Sequence, residues 1–231
     1  MKLIRYRFAV TFLTILCLVT ALQLHGQRTD SPVLKPRLLG FALPEGQKKL
    51  SVPFELHNNL IVLRVVLNNS LPLKFILDTG VRTTVLTEKS FTDLLNLTYS
   101  RVITIPGAGG EKLVDAYVAN NVTIDINGLI GHGHAMLVLE KDLLQLKNYL
   151  GVNVHGVLGY ELFSRFIIEI NYSRQMVIFH EPDSYRPKRS FDELSLIIED
   201  TKPYYHLNFK IRDQDQLYKG KFMLEFSSYV A

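Results

Sequence analysis

The chain has 231 residues, 47% of them hydrophobic, a single cysteine, and 26 basic against 22 acidic side chains for a net charge of +4. One cysteine excludes an internal disulfide framework, and so small a net charge leaves no nucleic-acid footprint. The length suffices for one full domain and part of another.

Residues 1–26 read as a secretory signal peptide. "MKLIRYR" is a basic start, Phe8 to Leu22 is apolar with neutral interruptions, and Gly26 offers a small residue for cleavage. The apolar run is short for a membrane span, so an exported chain (periplasmic or secreted) without a stable span is expected, with a retained anchor as the alternative. Cleavage would remove Lys2, Arg5, Arg7 and Cys17, so the exported part would have little net charge and would depend on its core for stability.

Residues 27–51, with Pro32, Pro36 and Pro44, are expected to be a lead-in segment. From Val52 to Phe179 short β-rich runs alternate with Asn, Gly and Pro turns. "LIVLRVVL", "LKFIL", "RVITI", "KLVDAYV" and "NVTIDI" predict strands, and "FIIEINYSRQMVIF" predicts a hairpin turning at Asn171 to Arg174. Helical spacing appears only near Ser90 to Leu95 and Asp142 to Leu150. The pattern predicts a mainly β, barrel-like lobe over residues 52–181 with one or two short helices.

A polar, Pro-containing stretch predicts a linker over 182–202. Residues 203–231 then repeat an earlier order: alternating strand, polar turn, apolar strand, acid. In the first copy the acid is Asp78, in "KFILDTG"; in the second it is Glu225, in "KFMLEFS". This predicts an incomplete, degenerate second repeat. Two ordinary hairpins of similar appearance remain the alternative.

An acid at the mouth of an apolar strand is costly to ionise unless something holds it. Gly80 lacks a Cβ, so a second backbone or a substrate can approach, and Thr79 supplies a hydroxyl for a neighbour. Two such acids face to face share one proton. One can then act as base on water while the other acts as acid toward an amide.

Asp78-Thr79-Gly80 resembles the active-site triplet of the retropepsin-like aspartic protease family. The tripeptide alone is a weak signal, but the strand before it and the Thr-rich run after it match the same pattern. "ITIPGAGGEKLVDAYV" resembles the family's flap, with Gly107, Ala108, Gly109 and Gly110 at its tip. "GVLGYELF" resembles the apolar-apolar-Gly element, and the resemblance implies that Val157, Leu158 and Gly159 pack against the strand carrying Asp78. It further implies a short helix at Tyr160 to Ser164, a catalytic Asp78, support from Thr79 and Gly80, an extended peptide or protein substrate, and no cofactor.

Two departures stand out. Val81 and Arg82 replace the small residue and hydroxyl residue that usually follow the triplet, which implies a dyad working nearer neutral pH. Glu225-Phe226-Ser227 is a degenerate partner: Glu is longer than Asp, Phe226 has no hydroxyl, and Ser227 is not Gly. A homodimer pairing two copies of Asp78, or a missing C-terminal half in a longer protein, is therefore expected to complete the site. The rival reading is a non-catalytic pseudoprotease of the same fold that binds a peptide or partner.

His132 and His134, with His155 further on, could tempt a zinc assignment, since i and i+2 share a strand face. No H-E-x-x-H supports it, and turn or surface positions without metal are expected. G-x-S-x-G and nucleotide fingerprints are absent, and N-x-[ST] sequons begin at Asn68, Asn96, Asn121 and Asn171.

Overall fold

The computed structural model describes residues 39–95, 97–106, 113–142 and 144–225. The expected signal peptide and Asn96 fall outside the described residues.

Fifteen strands are described in three sheets. In chain order they are β1 (Gly40–Ala42), β2 (Lys49–Pro53), β3 (Glu55–His57), β4 (Leu60–Leu67), β5 (Leu71–Leu77), β6 (Val85–Leu86), β7 (Tyr99–Pro106), β8 (Leu113–Ile126), β9 (Leu129–Leu139), β10 (Gly156–Leu158), β11 (Ile167–Asn171), β12 (Met176–His180), β13 (Ile197–Glu199), β14 (Lys202–Lys210) and β15 (Leu217–Met223). The largest sheet runs β1-β9-β6-β10-β5-β4-β8-β7, and a further pairing of β8 with β9 closes its middle into a ring. A closed ring leaves those strands without free edges.

Asparagine makes the tight turns. Asn58-Asn59 between β3 and β4, and Asn68-Asn69 between β4 and β5, all take positive φ, from 47° to 65°. Tight hairpin loops, two residues at 58–59 and three at 68–70, use that conformation, and Asn tolerates it better than most residues. Asn68 is also held by its side chain, which donates to the Leu95 carbonyl and accepts from the Thr123 amide. Its amide is committed inside the fold, which opposes use of that sequon.

Strands β4 and β5 are apolar almost throughout because they are covered on both faces. Ile61, Leu63, Val65, Leu73, Phe75 and Leu77 enter the barrel core. Val62 and Ile76 point the other way, against Val157, Val154 and Leu150 of the short helix Leu146–Leu150. That two-sided burial fixes where β5 ends, and so where Asp78 begins.

Several expected boundaries shift. The lead-in does not extend to residue 51: Gly40–Ala42 pairs with β9, and Lys49–Pro53 pairs with β12. The runs are short and Pro-flanked, so pairing partners far along the chain, not local pattern, make them strands. The helix expected over 142–150 covers only Leu146–Leu150, and the one near 90–95 divides into a 3-10 turn at Lys89–Phe91 and a helical turn at Thr92–Leu95. Within the expected linker, Ile197–Glu199 pairs with β14.

The third sheet, β13-β14-β15, carries the C-terminal hairpin. One face collects Tyr205, Phe209, Tyr218 and Phe222, with Phe209 and Phe222 ring centres 5.5 Å apart. Gly220 lies beneath this cluster, where a Cβ would strike the Phe222 and Phe209 rings. Among the described residues no helix is long and apolar enough to cross a membrane.

Candidate active site

The apolar alternation of β5 places Leu77 in the core and delivers Asp78 at the strand's end. Beside it β10 runs parallel, with Val157 opposite Ile76 and Leu158 opposite Leu77. The Asp78 amide donates to the Leu158 carbonyl at 2.9 Å, one step beyond the last strand pair. The main chain at Asp78 is therefore held from the β10 side.

Gly159 closes this arrangement. A Cβ there would lie 1.9 Å from the Val81 carbonyl oxygen and 2.7 Å from its carbon. The Tyr160 amide donates to that same carbonyl at 2.8 Å, at the start of the short helix Tyr160–Phe163. Only glycine permits the loop after Asp78 to cross so near.

Asp78 is 9% exposed and Thr79 4%. The Gly80 amide donates to Asp78 Oδ1 at 2.6 Å, so the carboxylate has one strong local donor. The described residues place no cation within ion-pair distance of Asp78. Thr79 Oγ1 donates to the Leu224 carbonyl at 2.7 Å, which ties this loop to the chain just beyond β15.

That bond brings Glu225 in. The position a Gly80 Cβ would occupy is 3.2 Å from Asp78 Oδ1 and 3.2 Å from Glu225 Oε1. The absent methyl is the space between two carboxyl groups. Burial pushes the Glu225 carboxyl above its ordinary range and the Asp78 charge pushes it further, against a smaller opposing effect of Lys202. Glu225, expected as a degenerate partner acid, thus lies beside Gly80 on the opposite side of that space from Asp78.

The sequence comparison of the two acids rested on side-chain symmetry. Thr79 bonds to a backbone carbonyl, which any residue at 224 provides, so Phe226 is no obstacle to that half of the contact. In the sequence each acid follows a hairpin of the same order.

The other expected positions are distributed as follows. Val81 is half-buried against the cluster containing Val62 and Val157, and Arg82 is exposed. Gly107, Ala108, Gly109 and Gly110 lie outside the described residues; the arms β7 and β8 are paired up to Pro106 opposite Leu113. His134 is not in a turn or at the surface: it is buried in β9, where Gly131, lacking a Cβ, leaves room for its ring. Its Nδ1 lies 2.6 Å from Glu161, and its ring packs on Phe41. His132 shares β9 and contacts Thr123, while His155 accepts the Lys74 amide at 3.1 Å. Among the described residues no group of three His, Cys, Asp or Glu side chains is placed to hold a metal.

Residues 63–162 match the family described as aspartyl protease. That span contains Asp78, Thr79, Gly80 and the β10 element, and it excludes Glu225. No curated protein sequence matches. The crystal structure of a retropepsin-like aspartic protease from Rickettsia conorii is similar to 62% of this chain and 96% of its own, at 18% identity and a TM-score of 0.37. The lobe around Asp78 is mainly β, and its residues 63–162 match the aspartyl protease family.

Proposed function

We propose that the protein is an exported aspartic-type endopeptidase. Asp78 activates a water between paired carboxyl groups, and the water attacks the carbonyl of a peptide bound as an extended strand. The observation that carries this reading is a buried acid in the family-matched segment with a second carboxyl group, not a cation, across the gap left by Gly80. Like charges so close cannot both ionise comfortably, and a pair holding one proton supplies a base and an acid together.

In this reading the Gly-rich tip at 107–110 closes over the substrate from the β7–β8 arms, and backbone groups hold the peptide in β-augmentation style. Export follows from the N-terminal pattern and is tested by finding the processed chain outside the cytoplasm.

One observation favours the binding-only alternative. The pair is Asp with Glu, and the residue after Glu225 is Phe, so the site departs from two-fold symmetry. Peptide cleavage by wild type and Asp78→Asn, with a pepstatin-type inhibitor as cross-check, separates the readings. Turnover lost in the variant supports the endopeptidase. Equal peptide binding without turnover in both proteins would replace it with the pseudoprotease.

A further inference from the structure

We propose that the partner acid is Glu225 of the same chain and that the two acids have fixed, unequal roles: Asp78 is the base, and Glu225 carries the proton. The inference rests on the endopeptidase reading and specifies how its site is assembled. It makes one chain sufficient and removes the need for a second Asp78.

The contacts at the two acids differ in kind. Asp78 Oδ1 already accepts the Gly80 amide at 2.6 Å, a donor that suits a carboxylate. Glu225 accepts no hydrogen bond from the described residues, and the charges acting on it are Asp78 and, more weakly, Lys202. A desolvated acid facing a carboxylate is the natural seat of the single shared proton. Its extra methylene lets the carboxyl group reach Gly80 from the end of a separate hairpin. The support is one-sided as well: Thr79 reaches the Leu224 carbonyl, whereas Phe226 has no hydroxyl to send back.

The chemistry balances with these roles. Water oxygen bonds to the substrate carbonyl carbon while its proton passes to Asp78, and the Glu225 proton passes to the carbonyl oxygen, giving a neutral diol. The C–N bond then breaks as Asp78 returns its proton to nitrogen and one diol hydroxyl returns a proton to Glu225. Products are a carboxylic acid and an amine, and both side chains regain their starting states.

The test uses the full chain as wild type, Glu225→Gln, Glu225→Asp and Asp78→Asn. Carbon-13 NMR of the Glu225 carboxyl group should show titration above the ordinary glutamate range, moving down in Asp78→Asn. Glu225→Gln should lower kcat by about 100-fold or more with KM changed only a few-fold, the usual scale for losing one acid–base group. Glu225→Asp should fall between the two, and wild-type rate should rise in simple proportion to enzyme concentration. If Glu225→Gln keeps the wild-type turnover and pH profile while Asp78→Asn is inactive, the endopeptidase stands and this assignment is overturned. If wild type cleaves nothing, the endopeptidase reading fails and takes the catalytic role of Glu225 with it.

Discussion

The hydroxyl of Thr79 donates to the backbone carbonyl of Leu224 at 2.7 Å, joining two strand ends 145 residues apart. Thr79 is almost fully buried and Leu224 is half-buried, so this bond forms away from bulk water. It is a direct polar link between the family-matched lobe and the hairpin that presents Glu225. Its acceptor is main chain, so the side chain at position 224 does not decide the contact.

Replacing Thr79 with Val keeps the volume and removes the donor, leaving the Leu224 carbonyl unpaired. A lost bond of this kind costs about 1–2 kcal/mol. The urea midpoint of Thr79→Val should fall accordingly, and Thr79→Ser should recover most of the difference. Equal midpoints for wild type and Thr79→Val would mean that the hairpin is held by other contacts.

Gly80→Ala should separate stability from activity. The new methyl would lie 3.2 Å from an oxygen of each acid, and both neighbours are side-chain ends that can turn away. The expected stability change is under about 1 kcal/mol. Displacing the acids by a fraction of an ångström to an ångström should cut kcat/KM by roughly 10- to 100-fold. Peptide cleavage beside a urea melt checks both; full activity would show that the two carboxyl groups need not meet there.

Much of this organisation was legible in the sequence, for physical reasons that differ by residue. Alternation in "LKFIL" and doubled asparagines in "HNNL" and "NNSL" report local burial and turn geometry, so the β4–β5 hairpin and the exit at Asp78 follow from short-range rules. Gly40–Ala42 and Lys49–Pro53 were not legible as strands because their partners, β9 and β12, lie some 90 and 130 residues away. His134 reads as a polar residue among glycines, and only the fold reveals Gly131 as space for its buried ring. Glu225 was visible as an acid in the same order as Asp78, but its contact partner was not, because the Leu224 carbonyl that Thr79 meets leaves no mark in the side-chain alphabet.

Gly159→Ala should behave differently from Gly80→Ala. Its methyl would meet the Val81 main chain at 1.9 Å, and that carbonyl is pinned by the Tyr160 amide. Neither partner can rotate away, so the loop carrying Asp78 must move. Forced overpacking of this kind costs about 1–3 kcal/mol or more. Low soluble yield and a thermal midpoint lowered by several degrees are expected; a midpoint equal to wild type would deny the close crossing.

Two groups should give stability opposite slopes with pH. Burial lowers the His155 value, with the neutral ring accepting the Lys74 amide, so the folded state prefers the uncharged imidazole. Its contribution is present above the ordinary histidine value of 6.5 and is lost as pH falls through the lower folded value. Lys74 and Glu88 are the charges acting on it, with opposing effects. Glu225 is raised, chiefly by burial, so its contribution is present below 4.5 and is lost as pH rises through its folded value. Urea midpoints measured from pH 4 to 8 should therefore change slope with each variant separately. His155→Gln, whose amide oxygen can still accept the Lys74 N–H, should flatten the acid-side loss below 6.5. Glu225→Gln should flatten the loss above 4.5 and leave the histidine limb in place. If Glu225→Gln changed the histidine limb instead, the opposed burial of these two groups would be wrong.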